Sequence, residues 1–189
     1  PFACAPVKGQ PRRKPWLSFT GSHANGLIED DLALDFVKRI GHHLRLAGYE
    51  TVIIRPDASL VALATRGRKA ISAHCDLFIS VHLNAGPPGA RGAEAYVAEG
   101  DERSRRIAER LLEAIHRRGL QNRGGKWHSQ TQYHKLRVLR DTYRHMPAVL
   151  LEIGFLTNVL DAAMLTSRHF REALASEIVE GIAAQAYKG

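Results

Sequence analysis

Four polar side chains stand where an α/β sheet would bring them to one edge. His23 follows the first predicted strand, and Glu29 lies at the start of the next helix. His82 ends the apolar run DLFISVH, and Glu152 interrupts the apolar run AVLLEIGF. Ligands of parallel α/β sheets gather outside the carboxyl ends of the strands. Two histidines and a carboxylate are a recognised catalytic zinc set, which leaves one coordination position for water.

Each of these residues also has an ordinary structural explanation. A single histidine after a strand is more often a satisfied polar residue than a ligand, and Glu29 could favour a helix N-terminus electrostatically. Glu152 could pair with an arginine such as Arg140, because an unpaired buried carboxylate is costly. The combination favours a site, since all four residues fall at related places in the predicted sheet.

Other catalytic signals are absent or weaker. The sequence lacks the GxSxG, GxxxxGK[ST] and GxGxxG motifs, and neither of its two cysteines has a CxxC partner. His42 and His43 lie within a predicted helix, where at most one can face the core. His128 and His134 lie in a polar stretch and could line a cleft. The remaining histidines are expected to be solvated: His74, His116, His145 and His169.

Strands alternate with helices along the chain, which predicts an α/β domain with a largely parallel sheet. Strands are predicted at 16–20, 51–55, 76–83, 93–99, in the VLR segment at 138–140 and at 148–156. Helices are predicted from Glu29 to Gly48 and over 59–74, 102–118 and 167–186, with loops at 21–26 and 119–135.

Composition fits one globular domain with a sizeable core. The chain has 189 residues, of which 44% are hydrophobic, and no apolar run of about 18 residues that would span a membrane. The formal net charge of +8 suits a polyanionic partner, such as nucleic acid, an anionic membrane or an acidic cell-wall polymer. The basic, proline-rich residues 1–15 lack the apolar core of a secretory signal, so we expect a tail there and one domain over 16–189.

Two blocks of the sequence carry a family resemblance. One reads CDLFISVHLNA, with Arg66 ten residues before its Asp76. The other reads VLRDTYRHMPAVLLEIGFLTN and ends at Asn158, and a GxExY element lies between them at 92–96. Over roughly 16–187 the chain resembles the zinc-dependent N-acetylmuramoyl-L-alanine amidases of the amidase-3 type. Such a resemblance implies a single domain with a twisted, mostly parallel sheet of about six strands flanked by helices.

The first motif departs from that family. Its members usually show DPGHGG, whereas this chain has TGSHAN around His23. The family's EKD segment corresponds to Glu29, Asp30 and Asp31. If Glu29 is not the carboxylate ligand, then Asp30 or Asp31 is the alternative.

The resemblance implies that one zinc ion per chain is held by His23, Glu29 and His82, and that Glu152 is the catalytic carboxylate. Zinc would polarise the scissile carbonyl and activate a water molecule, and Glu152 would move the proton from water to the leaving amine. The bond implied is the amide between the lactyl group of N-acetylmuramic acid and L-alanine. Asn84 could bind substrate, or it could cap a turn.

The implied partner is peptidoglycan, with a basic face that could contact an anionic cell-wall or membrane surface. The alternative is a catalytically impaired amidase-like protein, or a basic module that binds cell wall or nucleic acid without hydrolysis. Nucleic acid is not expected, because the basic helix 102–118 holds no aromatic residue that could stack on bases. We expect a monomer that acts in the periplasm or cell wall, either a mature secreted form or a phage lysis enzyme. The interval from Tyr96 to Glu152 leaves no segment for an inhibitory plug.

Overall fold

The structure is a computed structural model that describes residues 15–18, 23–24, 27–55, 57, 61–131 and 136–184, with the backbone alone before Glu29. The predicted basic tail lies outside the described residues, apart from Pro15. The strands are β1 (Pro15–Ser18), β2 (His23–Ala24), β3 (Leu27–Ile28), β4 (Val52–Ile53), β5 (Leu77–Asn84), β6 (Ala93–Val97), β7 (Asn122–Trp127) and β8 (Ala148–Phe155). The helices are α1 (Glu29–Leu46), α2 (Leu63–Ser72), α3 (Glu102–Arg117), α4 (Arg137–Thr142), α5 (Val159–Thr166) and α6 (Arg168–Ala183).

The main sheet has the strand order β4-β1-β5-β8-β6-β7. Its neighbouring strands are parallel, except that β6 runs antiparallel to β8. β2 and β3 form a separate antiparallel pair in which His23 lies opposite Ile28. The predicted α/β class with a mostly parallel sheet is therefore confirmed.

Helices cover both faces of the sheet. One face packs its apolar side chains, such as Ile79 and Leu151, against α1, α3 and α6. The opposite face packs Phe78 and Leu150 against α2 and α4. Side chains alternate between the faces along each strand, so Ser80 and His82 lie on the α2–α4 face, beyond Phe78.

The helix predicted from Glu29 is confirmed as α1. Its apolar side chains Ala33, Phe36, Val37, Ile40 and Leu44 are fully buried, Ala47 is half-buried, and Gly48 follows with a φ of +83°. That φ lies in the left-handed region where helices commonly end. Glu29, the first residue of α1, contacts Leu83 near the carboxyl end of β5, so the helix begins at this edge of the sheet. No described helix is both long and apolar enough to cross a membrane.

Three local predictions were wrong. The VLR segment forms helix α4 rather than a strand, because Val138, Leu139 and Thr142 are all buried on one side. A strand would have placed the first two on opposite faces. The predicted loop 119–135 contains β7 and a short 3₁₀ turn (His128–Gln130), and the predicted loop 21–26 contains β2. In β7 the register shifts near Gly124, whose φ is +83°, so regular alternation is lost.

Candidate active site

Three side chains from neighbouring strands form a row across the α2–α4 face. His82 on β5 lies opposite Glu152 on β8, and Glu152 lies opposite Glu94 on β6. Residues paired on adjacent strands project from the same face of a sheet. The strand order therefore brings together two predicted site residues, His82 and Glu152, with Glu94, which the sequence did not indicate as part of a site.

The ring of His82 is held at both nitrogens. Its Nδ1 lies 3.1 Å from Oε1 of Glu29, and its Nε2 lies 2.9 Å from the hydroxyl of Ser80. The backbone N–H of Leu83 donates to the same Glu29 oxygen at 3.3 Å. Burial acts to lower the pKa of His82, but the hydrogen bond to Glu29 and the carboxylates of Glu152 and Glu29 outweigh it and raise that pKa.

Among the three acidic residues that open α1, the structure brings Glu29 to His82. Glu29 is 5% exposed and lies at the first position of the helix. Asp30 instead pairs with the buried guanidinium of Arg55 at 2.7 Å, and Asp31 is exposed. The alternatives left open by the sequence are therefore not the residues that contact His82.

The backbone of His23 lies beside the start of α1. It pairs with Ile28, the residue directly before Glu29. The side chain of His23 is not part of the described structure. Two of the three predicted metal ligands, Glu29 and His82, therefore lie together in the described residues. The described side chains taken alone include no group of three histidine, cysteine, aspartate or glutamate residues that could hold a metal ion.

The carboxyl group of Glu152 is buried and incompletely paired. Its Oε2 has no hydrogen-bond partner among the described residues. Burial raises the pKa of Glu152 to about 7; the nearby His82 opposes this rise, and the carboxylates of Glu29 and Glu94 add to it. Arg140, which the sequence left open as a partner, is exposed and contacts Asp141 instead.

Glu94 is the most heavily hydrogen-bonded carboxylate of the row. Its Oε1 accepts from Asn84 and Tyr96 at 2.8 and 2.7 Å, and its Oε2 accepts from Arg123 and Lys126 at 2.7 and 2.6 Å. Burial alone would raise its pKa, but the hydrogen bonds from Arg123, Lys126 and Tyr96 lower that pKa to about 2. Glu94 is therefore ionised and stationary beside Glu152.

Asn84, predicted as a substrate-binding residue or a turn cap, engages two groups at the end of β5. Its Nδ2 donates to Glu94, and its Oδ1 accepts from the backbone N–H of Ala85 at 2.9 Å. The side chain thus caps the strand end and links β5 to β6.

The other histidines lie away from the row. His43 pairs with Glu172, and His128 is buried beside a cavity of about 150 Å³ that Glu99 and Tyr143 also line. That cavity lies at the opposite end of β6 from Glu94, and His134 lies outside the described residues. The histidines predicted to be solvated are exposed: His74, His116, His145 and His169.

The two described donors, His82 and Glu29, are of types that bind zinc, and their spacing is compatible with a shared ion. Adjacent ligands of a tetrahedral zinc site are about 3.3 Å apart, which compares with 3.1 Å between Nδ1 of His82 and Oε1 of Glu29. The second ring nitrogen of His82 has a hydrogen-bond partner, the hydroxyl of Ser80, and metal-ligating histidines usually have a partner at this nitrogen. The unpaired Oε2 of Glu152 lies on the neighbouring strand, next to this pair of donors.

Sequence comparison assigns the chain to a family. The model of the family described as N-acetylmuramoyl-L-alanine amidase matches residues 13–184. The chain belongs to this amidase family. The amidase chain is 35% identical over 170 residues to the uncharacterized protein YqiI of Bacillus subtilis, covering 86% of this chain and 77% of that one.

A phage protein and a solved structure agree with the assignment. The amidase chain is 34% identical over 173 residues to the endolysin of Bacillus phage SPP1, covering 87% of this chain and 60% of the endolysin. The structure of the N-acetylmuramoyl-L-alanine amidase AmiC2 of Nostoc punctiforme superposes with a TM-score of 0.81 at 25% identity, over 92% of this chain and 96% of that one. The predicted family and its reaction class, amide hydrolysis in peptidoglycan, are confirmed.

Proposed function

We propose that this chain hydrolyses the amide bond between the lactyl group of N-acetylmuramic acid and L-alanine, using one zinc ion held by His23, Glu29 and His82. The observation that carries the proposal is the buried carboxyl of Glu152, whose Oε2 has no hydrogen-bond partner among the described residues, beside the His82–Glu29 pair. A free carboxylate oxygen next to metal donors is the arrangement that general-base hydrolysis requires.

The proposed ligand residues present the lone pairs of their donor atoms in fixed positions. Ser80 fixes one nitrogen of His82, so the other is directed at Glu29. The N–H of Leu83 restrains the Glu29 carboxylate. Glu29 and His82, together with His23, would hold a zinc ion, which would supply polarisation of the scissile carbonyl and a lower pKa for water.

Glu152 transfers the proton from the attacking water to the leaving nitrogen. Its Oε2 accepts a proton from the attacking water and then returns it to the nitrogen of L-alanine as the carbon–nitrogen bond breaks. The products are a lactyl carboxylate on the glycan and a stem peptide with a free amino terminus. A pKa of about 7 suits both the acceptance and the return of this proton.

Asn84 remains a candidate substrate-binding residue within the proposal. One hydrogen of its amide is used on Glu94, and among the described residues the second has no acceptor. The free hydrogen could donate to a substrate carbonyl above the end of β5.

The outer face of α3 offers an anionic partner a basic surface. Basic side chains outnumber acidic ones on this helix, and most are exposed: Arg103, Arg106, Arg117 and, directly after the helix, Arg118. We expect this face to contact anionic cell-wall polymers or membrane lipids, and we expect the protein to act in the cell wall or periplasm as a monomer.

The bond that is cut distinguishes this reaction from glycan hydrolysis. Purified protein should be incubated with isolated wall sacculi, and new amino termini and new reducing sugar ends should both be measured. We expect new N-terminal alanine without new reducing ends. Reducing ends without N-terminal alanine would contradict the proposal, because they report cleavage between sugars.

A further inference from the structure

Two cations share a single carboxylate at the end of the row. Arg123 and Lys126, both on β7, donate to the same Oε2 atom of Glu94. The side chain of Glu94 is 4% exposed, whereas those of Arg123 and Lys126 are 32% and 29% exposed. Because Glu94 is ionised, one positive charge in this group of three is not balanced.

The two cations are held in place and still have free donors. The guanidinium of Arg123 lies 4.9 Å from the ring centre of Phe155, and the ammonium of Lys126 lies 5.8 Å from that of Tyr96. Arg123 uses Nε on Glu94 and Nη1 on the backbone oxygen of Arg91, and within the described part of the chain Nη2 has no partner. Lys126 likewise has only Glu94 as a described acceptor.

The position of this pair relative to Glu152 defines which part of a substrate it can reach. Glu94 lies one strand away from Glu152, and neighbouring strands are about 4.8 Å apart. An extended peptide advances about 3.5 Å per residue. A peptide that leaves the scissile amide toward β7 therefore presents its second residue near Arg123 and Lys126.

The excess positive charge of Arg123 and Lys126 indicates that the peptide half of the substrate lies on this side of the site. The lactyl carboxyl of the glycan is consumed in the scissile amide, so the sugar side offers no anion there. The second residue of a stem peptide is a D-glutamate linked through its side chain, and its α-carboxylate is either free or converted to a carboxamide. A free carboxylate would balance the excess positive charge, whereas a carboxamide would not.

We propose that Arg123 and Lys126 form a subsite for the free α-carboxylate of the second stem-peptide residue, so that the enzyme discriminates against amidated stems. Glu94 positions the two cations in this subsite. The inference rests on the proposed function, because it assumes that the scissile amide lies beside Glu152.

The test compares two substrates that differ at one group. N-acetylmuramoyl-L-alanyl-D-glutamate and N-acetylmuramoyl-L-alanyl-D-isoglutamine should be hydrolysed separately, and the ratio of their kcat/KM values measured. We expect the wild type to prefer the free acid by about tenfold, the size of one partly exposed charge-assisted contact. In Arg123→Gln/Lys126→Gln the ratio should fall to about one. Because both kcat/KM values are measured on one preparation of each protein, their ratio does not depend on the fraction of the protein that is folded.

A matched control removes two charges elsewhere. Lys38 and Arg45 are exposed on α1, about 14 and 24 Å along the helix from Glu29, and Lys38→Gln/Arg45→Gln should keep the wild-type ratio. Inhibition by the peptides L-alanyl-D-glutamate and L-alanyl-D-isoglutamine gives a second readout, in which only the acid should lose potency in the Arg123/Lys126 variant. If the wild type cleaves both substrates equally well, the subsite is wrong and the proposed function stands. If it cleaves neither substrate nor sacculi, the proposed function itself fails.

Discussion

The hydroxyl of Ser80 lies 2.9 Å from Nε2 of His82, on the side of the ring opposite the nitrogen that faces Glu29. Ser80 is fully buried and lies two residues before His82 on β5, so the two side chains project from the same face. Its hydrogen bond holds the ring of His82, a predicted metal ligand, in one orientation.

Ser80→Ala should therefore weaken zinc binding. Loss of such a partner of a ligating histidine typically costs 10–100-fold in metal affinity, and we expect a loss of about tenfold or more. The zinc affinity is measured by competition with a chelator of known strength. Ser72→Ala, on the exposed side of α2, is the control and should bind zinc like the wild type. Equal affinities for the two variants would mean that Ser80 does not position His82.

Glu152→Gln should separate catalysis from folding and metal binding. The amide keeps the shape of the side chain but cannot accept the water proton, so turnover should fall by at least about 100-fold. Unfolding temperature should not decrease, because burial disfavours the ionised carboxyl that the change removes. Activity on sacculi, zinc content and thermal unfolding are measured together, with Glu113→Gln on the exposed side of α3 as control. Turnover near that of the wild type would give Glu152 a structural role.

Acid should weaken the fold through Glu94. Its pKa is lowered to about 2 from 4.5, so its contribution to stability is complete above about pH 4.5 and is lost as the pH falls toward 2. The shift corresponds to about 3 kcal/mol of unfolding free energy. Urea unfolding at pH 6, 4 and 3 should show a steeper loss in the wild type than in Glu94→Gln. Parallel losses in the two proteins would contradict the assigned role of this carboxylate.

Gly92 should be intolerant of a side chain. Its φ is +97°, and an added Cβ would lie 2.3 Å from the backbone oxygen of Gln121. Gly92 also donates its N–H to the buried carboxylate of Asp161 at 2.6 Å, just before β6. Gly92→Ala should lower the unfolding free energy by roughly 2–4 kcal/mol, through backbone strain and the displaced contact.

Gly89→Ala is the matched control for this change. No heavy atom lies within 4 Å of an added Cβ at Gly89, so stability should change little. The two unfolding free energies are compared by urea titration. Similar stabilities for Gly92→Ala and Gly89→Ala would show that the close approach to Gln121 relaxes at little cost.

The sequence predicted the elements that have a clear period and missed those that do not. The apolar runs of β5 and β8 and the stripe of α1 were long enough to identify. A run of three residues such as VLR fits a strand or a helix turn equally well, and tertiary burial against α2 made it α4. β7 contains adjacent glycines and a register shift, so its sequence lacks the alternation of apolar and polar residues that would have predicted a strand.

Contacts within the site depend on the order of the strands in the sheet, which local sequence patterns do not reveal. His82, Glu29 and Glu152 were indicated because polar residues interrupt apolar elements or open a helix. Glu94 joins them because β6 runs antiparallel beside β8, and its partners Arg123 and Lys126 come from a strand that was not predicted. The GxExY element was recognisable, but its role in the row was not.

The proposed hydrolysis depends on zinc held by His23, Glu29 and His82. The most direct measurement is the release of N-terminal alanine from sacculi by one preparation, as purified, after exhaustive metal removal, and after zinc is added back. We expect about one zinc ion per chain at the start, no release after removal, and restored release with zinc, whereas His82→Ala should retain little zinc. Full release of N-terminal alanine by the metal-free protein would show that hydrolysis does not depend on zinc.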